Sequence, residues 1–143
     1  MRLLLALGDP ISRTILGRFA GRRGHDVSSA DSGREAMELC RSSIAFDCVV
    51  CGTRLRDMSG AELFGRIRGL AREGLAFYPY LLVVCGQDEI PCGRDAVRAG
   101  ADGILWEPLG PESLEIGFIA AERVSAVYGK AAQAGGDRGL RDG

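Results

Sequence analysis

Apolar residues in this chain arrive in short unbroken runs, each ending at a polar break that a helical pattern follows. Leu3-Leu4-Leu5-Ala6-Leu7, Cys48-Val49-Val50-Cys51 and Leu81-Leu82-Val83-Val84-Cys85 are the clearest. A strand with one wet face alternates apolar and polar residues, so an unbroken run points to burial on both faces, as in a parallel sheet. Two shorter segments, Val27 to Ala30 and Ile104 to Trp106, bring the expected strands to five.

Helix signals separate the strands. Asp9-Pro10 reads as an N-cap followed by proline at the first helical position, and Ile11, Ile15 and Phe19, with Leu16, give that helix its apolar stripe. Ser32-Gly33-Arg34-Glu35 is a capping box that opens a helix with Ala36, Leu39 and Cys40 inward. A second box, Ser59-Gly60-Ala61-Glu62, opens a helix with Leu63, Ile67 and Leu70 on one side, ending near Gly74. Asp95 to Ala99 reads as a short helix closed by Gly100, and Pro111 opens a last helix to about Lys130. Five strands alternating with five helices imply βαβ units: a parallel sheet with helices on both faces and right-handed crossovers.

The order of these pieces resembles the receiver domain of two-component response regulators. The matching segments are Gly24-His25-Asp26-Val27, Ser32 to Leu39, Phe46-Asp47, Met58 to Leu63, and Ala99-Gly100-Ala101-Asp102-Gly103-Ile104-Leu105-Trp106-Glu107-Pro108-Leu109. The resemblance covers about residues 2 to 130. It implies a flavodoxin-like (βα)5 doubly wound sheet of strand order 2-1-3-4-5, with residues 1–131 as a receiver-like domain and 132–143 as a Gly-rich tail or linker. It also implies a cis peptide before Pro108.

The family's reaction is Mg²⁺-dependent phosphoryl transfer from a phosphohistidine to an aspartate at the carboxyl edge of the sheet, where open α/β sheets hold their ligands. Carried over position by position, the metal-binding acidic pair falls on Leu7 and Gly8, and the acceptor aspartate on Gly52. The phosphate-binding hydroxyl falls on Cys85, the lysine on Glu107 and the aromatic switch residue on Ile104. Leu7, Gly8 and Gly52 carry no side-chain oxygen for Mg²⁺, and Glu107 would repel a phosphoryl group. The 18 basic residues are 17 Arg and Lys130, so one ammonium group is present, on the last helix. The expectation is a degenerate pseudo-receiver with no catalytic residue, metal or cofactor.

Other readings stay open. Asp9 and Asp57 are substitute acceptors or metal ligands only if they are not spent as a helix cap and a loop residue. Glu107 could pair with Arg54 or Arg56. Those two arginines could instead bind a small anion or nucleotide in the emptied pocket. Cys48 and Cys51 have the spacing of a redox motif, but residues three apart in a strand face opposite ways, so core packing is expected. His25 is expected as a surface loop residue. The last helix carries Leu114, Phe118, Ala121 and Val124 on one side and Ile116, Ile119, Ala120 and Val127 opposite. A helix covering a sheet needs one apolar face. The second stripe, with Ile104 and Trp106 before it and Arg123 beside it, is therefore the expected partner or dimer surface.

Charge and composition narrow the partners. The net charge of -1 argues against direct nucleic-acid binding, and no apolar run reaches the roughly 18 residues of a membrane span. Leu3 to Leu7 stops at Gly8-Asp9-Pro10, too short for a signal peptide, and the five cysteines suit buried thiols in a reducing cytosol. The partners expected are a histidine kinase, a linked output domain or a second copy.

Overall fold

Alternate residues of Leu3–Leu7 go to opposite sides of one sheet. Leu3, Leu5 and Leu7 join one apolar cluster, and Leu4 and Ala6 the other, as the two-residue period of a strand requires. The computed structural model describes residues 1–42, 45–72 and 78–142, with backbone only for 71, 72 and 128–142. The chain runs β1 (Arg2–Ala6), α1 (Pro10–Arg22), β2 (Asp26–Ala30), α2 (Gly33–Arg41), β3 (Cys48–Gly52), α3 (Gly60–Arg72), β4 (Tyr80–Cys85), a 3₁₀ turn (Gln87–Glu89), α4 (Ile90–Ala99), β5 (Gly103–Trp106) and α5 (Pro111–Asp142). All neighbouring strands are parallel, in the order 2-1-3-4-5. This is the expected flavodoxin-like sheet.

Two apolar layers follow from that order. α2, α3 and α4 cover one face through Ala36, Phe64, Ile67 and Ala96, against Leu4, Val49, Cys51 and Val83. α1 and α5 cover the other through Leu16, Ala20, Leu114 and Phe118, against Leu3, Leu5, Val50 and Val84. The parallel register aligns Ala6 with Cys51, and Gly52 with Val84, so the loops after β1, β3 and β4 meet at one carboxyl edge.

Local capping follows the sequence closely. Asp9 caps α1, accepting from the backbone N–H of Ile11 at 3.1 Å and the Ser12 hydroxyl at 2.8 Å. Ser32 and Ser59 accept from the N–H groups of Glu35 and Glu62, as their boxes predict.

Several expectations need correction. Helix α4 begins at Ile90 instead of Asp95, because Pro91 suits a first turn and the 3₁₀ turn feeds directly into it. Helix α5 continues to Asp142, past Lys130. No proline interrupts that stretch, and its three glycines, Gly135, Gly136 and Gly139, cost only about 1 kcal/mol each in a helix. On α1 the buried residues are Ser12, Leu16 and Ala20, while Ile11 is exposed and Ile15 only partly covered. The i, i+4 row of isoleucines therefore faces outward. His25 is not a surface residue: its ring is 8% exposed, stacks on Phe118 and lies 2.6 Å from the Glu122 carboxylate. The expected α3 end near Gly74 lies outside the described residues.

Candidate functional site

Strand β3 delivers Gly52 to the carboxyl edge, where α3 starts almost against it. The N–H of Gly60 donates to the Thr53 carbonyl at 2.9 Å, and a Cβ on Gly60 would collide with the Gly52 carbonyl oxygen. Glycine at position 60 is what allows this close approach. A Cβ built on Gly52 would meet only Leu7 Cδ2 at 3.8 Å and backbone of Arg54 at 3.7 Å. The space for a side chain persists, and the wall beside it is the buried, apolar Leu7.

Mg²⁺ does not fit the donors present. Leu7 and Gly8 offer no side-chain oxygen, and both Asp9 oxygens are committed to capping α1. The Ser12 hydroxyl is the main cause holding the Asp9 carboxyl below the usual carboxylate range, helped by the Ile11 N–H. Among the described residues no group of three or more potential ligands is placed to hold a metal ion.

At the end of β4 the thiol of Cys85 is buried and donates weakly to the carbonyls of Gly86 and Glu89, both at 3.4 Å. Burial pushes this thiol up, and the neighbouring Glu89 carboxylate adds to the effect. Around Gly86 the environment is acidic: its Cβ position lies 2.8 Å from an Asp88 oxygen, 3.2 Å from one of Glu89 and 3.5 Å from one of Glu107. The Glu107–Pro108 peptide is cis, as expected.

The loop after β3 holds the remaining candidates. Asp57 accepts the backbone N–H groups of Gly33 and Arg34, so it caps α2 from a distant loop. Those N–H groups, Gly33 first, hold its carboxyl below the ordinary range. Arg56 pairs with Asp31 at 3.3 Å, not with Glu107, because the loop directs it toward the end of β2. Arg54 is exposed and has no ion pair among the described residues. The Lys130 side chain lies outside the described residues.

The cysteine pattern is core. Cys48 lies in the cluster beneath α1 and α5, and Cys51 in the one beneath α2, α3 and α4. Burial pushes the Cys51 thiol up to about 12, which removes its thiolate at neutral pH.

At the far edge of the sheet, Leu114, Phe118 and Ala121 of α5 are buried and Val124 is half-buried. The opposite stripe stands in solvent: Ile116 is 70% exposed, Ile119 47% and Val127 63%, with Arg123 exposed and Ala120 half-buried. On β5, Trp106 is exposed and Ile104 is half-buried, packed against the core beside α4. Sequence reasoning missed two further exposed apolar residues, Ile90 and Val97 of α4. Their signal was the length of α4, which the sequence understated. It also missed Thr53 and Glu89, whose side chains meet across the edge though 36 positions apart.

Among the described residues no helix is long and apolar enough to cross a membrane. Residues 4–117 match the response regulator receiver domain. A protein named cyclic di-GMP phosphodiesterase from Thermotoga maritima is 28% identical over 123 residues, covering 86% of this chain and 31% of its own. The transcriptional regulatory protein ZraR of Escherichia coli K12 is 30% identical over 113 residues, covering 78% of this chain and 24% of its own. This chain thus spans less than a third of the length of these relatives. Chemotaxis response regulator CheY4 of Vibrio cholerae superposes with a TM-score of 0.72 at 21% identity, covering 85% of this chain and 98% of its own. With the family's sheet, its matched residues and its cis proline loop all in place, the chain belongs to the response regulator receiver domain family of two-component signalling.

Proposed function

We propose that this receiver works without phosphorylation, as a protein-interaction or dimerisation module inside a cytoplasmic signalling protein. One observation carries the reading: at the position of the acceptor, Gly52 faces the apolar side chain of Leu7, where phosphoryl transfer needs a nucleophile and a metal-binding acid. The other carboxylates nearby are engaged, Asp9 on α1 and Asp57 on α2. Glu107 and Glu89 beside Gly86 make the edge repulsive to a phosphoryl group.

The contact surface would be the exposed stripe of α5 with Trp106 of β5 and the apolar residues of α4. Covering Ile116, Ile119 and Val127 would contribute about 1.5–3 kcal/mol each at full burial, before the cost of association. Without a phosphoryl switch that surface is available constitutively. A histidine kinase, a linked output domain or a second copy would occupy it. The module binds rather than catalyses.

Incubation with acetyl phosphate and Mg²⁺, or with a phosphorylated histidine kinase, tests the reading. Intact mass should stay unchanged, and a stoichiometric, base-labile adduct overturns it. Sedimentation of the chain alone and with candidate kinases then identifies the occupant.

A further inference from the structure

Thr53, directly after β3, is buried, and its hydroxyl donates to Oε2 of Glu89. The other oxygen of the same carboxylate, Oε1, accepts the backbone N–H of Gly86, directly after β4, at 3.1 Å. Glu89 closes the 3₁₀ turn and is immediately followed by Ile90, the first residue of α4. One side chain of the turn thus receives a donor from the start of its own turn and another from the end of β3, across the carboxyl edge. Hydrogen bonds to a charged acceptor are about twice as strong as neutral ones; the Gly86 bond caps the turn that Glu89 itself closes, and the Thr53 bond bridges separate elements.

We propose that Glu89 is a built-in anion, strapping the start of α4 to the end of β3 and occupying the donors that an exogenous anion would need. The strap concerns the position of α4 and the closure of the edge, so it stands apart from whether any residue is phosphorylated. It also ties the loop that begins at Thr53, next to Gly52, to the helix that presents Ile90 and Val97 to solvent. The carboxylates of Asp88 and Glu107 beside Gly86 reinforce the closure by adding negative charge.

Amide hydrogen exchange followed residue by residue tests the strap. Thr53→Val removes the donor while keeping the side-chain shape, and Glu89→Ala removes the acceptor. Each should raise exchange at Gly86 and in the first turn of α4 roughly tenfold, with the double variant no worse than the larger single effect. Thr53→Ser, which keeps the hydroxyl, should exchange like the wild type. If Thr53→Val leaves α4 at the wild-type rate, Glu89 is only a local acceptor within its own turn and the strap is wrong. Titration with inorganic phosphate, read at the Gly86 amide resonance, tests the closure. The wild type should show no saturable shift and Glu89→Ala should gain one; a shift in the wild type, or none in the variant, overturns it. Should Glu89→Ala fail to fold, the Thr53→Val and Thr53→Ser pair still decides.

Discussion

Asp57 Oδ1 accepts the backbone N–H of Gly33 at 2.8 Å, tying the loop after β3 to the first turn of α2. The second oxygen takes the N–H of Arg34 at 3.0 Å, so the carboxylate satisfies two of the donors that a helix start leaves unpaired. The negative charge also suits that end of the helix macrodipole. An acid that could be read as a spare phosphoacceptor is therefore a structural clamp between two elements.

Replacing Asp57 with Asn should show this through pH. The folded-state carboxyl lies below its unfolded value, so its contribution is present above about pH 4 and is lost as pH falls through the folded value. Urea unfolding should find Asp57→Asn less stable than wild type at pH 7, and the gap should close on acidification. A gap independent of pH would mean that shape, not charge, makes the clamp.

Gly60→Ala should destabilise the fold by about 1–3 kcal/mol, the usual cost of overpacking. The added Cβ meets the backbone oxygen of Gly52, which cannot swing aside as a flexible side chain would. Thermal unfolding measures the loss. An unchanged midpoint would show that α3 slides freely on the end of β3.

Gly52→Asp should behave differently. The added Cβ stands 3.7 Å from its nearest neighbour, so the variant should fold with a midpoint close to wild type. It should still form no adduct with acetyl phosphate and Mg²⁺, because Leu7 and Gly8 supply no metal ligand and the carboxylates of Asp88, Glu89 and Glu107 crowd the edge beside Gly86. Intact mass decides, and a stoichiometric phosphoaspartate in this variant would show that a nucleophile was the only missing part.

Ile119→Glu places a charge in the middle of the exposed α5 stripe and leaves Leu114, Phe118 and Ala121 alone. The variant should keep its circular dichroism spectrum and lose association in analytical ultracentrifugation. Unfolding would assign the stripe to the core. Unchanged association would move the contact elsewhere, and α1, where Ile11 is exposed and Ile15 partly so, is the next surface to vary.

The sheet was legible in the chain because its signals are local. An unbroken run such as Leu3 to Leu7 states burial on both faces, and Asp9-Pro10 or Ser32 with Glu35 states where a helix starts, all within a few residues. That a glycine ends β3 was legible for a similar reason: Gly52 closes a recognisable strand, and glycine has no side chain to reinterpret. What the chain alone did not determine is which groups meet from distant positions. Asp57 reaches Gly33, Thr53 reaches Glu89, and His25 slides beneath Glu122 onto Phe118 only once the sheet has brought their loops together. The same holds for Ile11 and Ile15. Helical spacing placed them on one face, but the sheet lies under Ser12, Leu16 and Ala20. Periodicity defines a face without saying what it meets; the packing of α1 against β1 and α5 decided that.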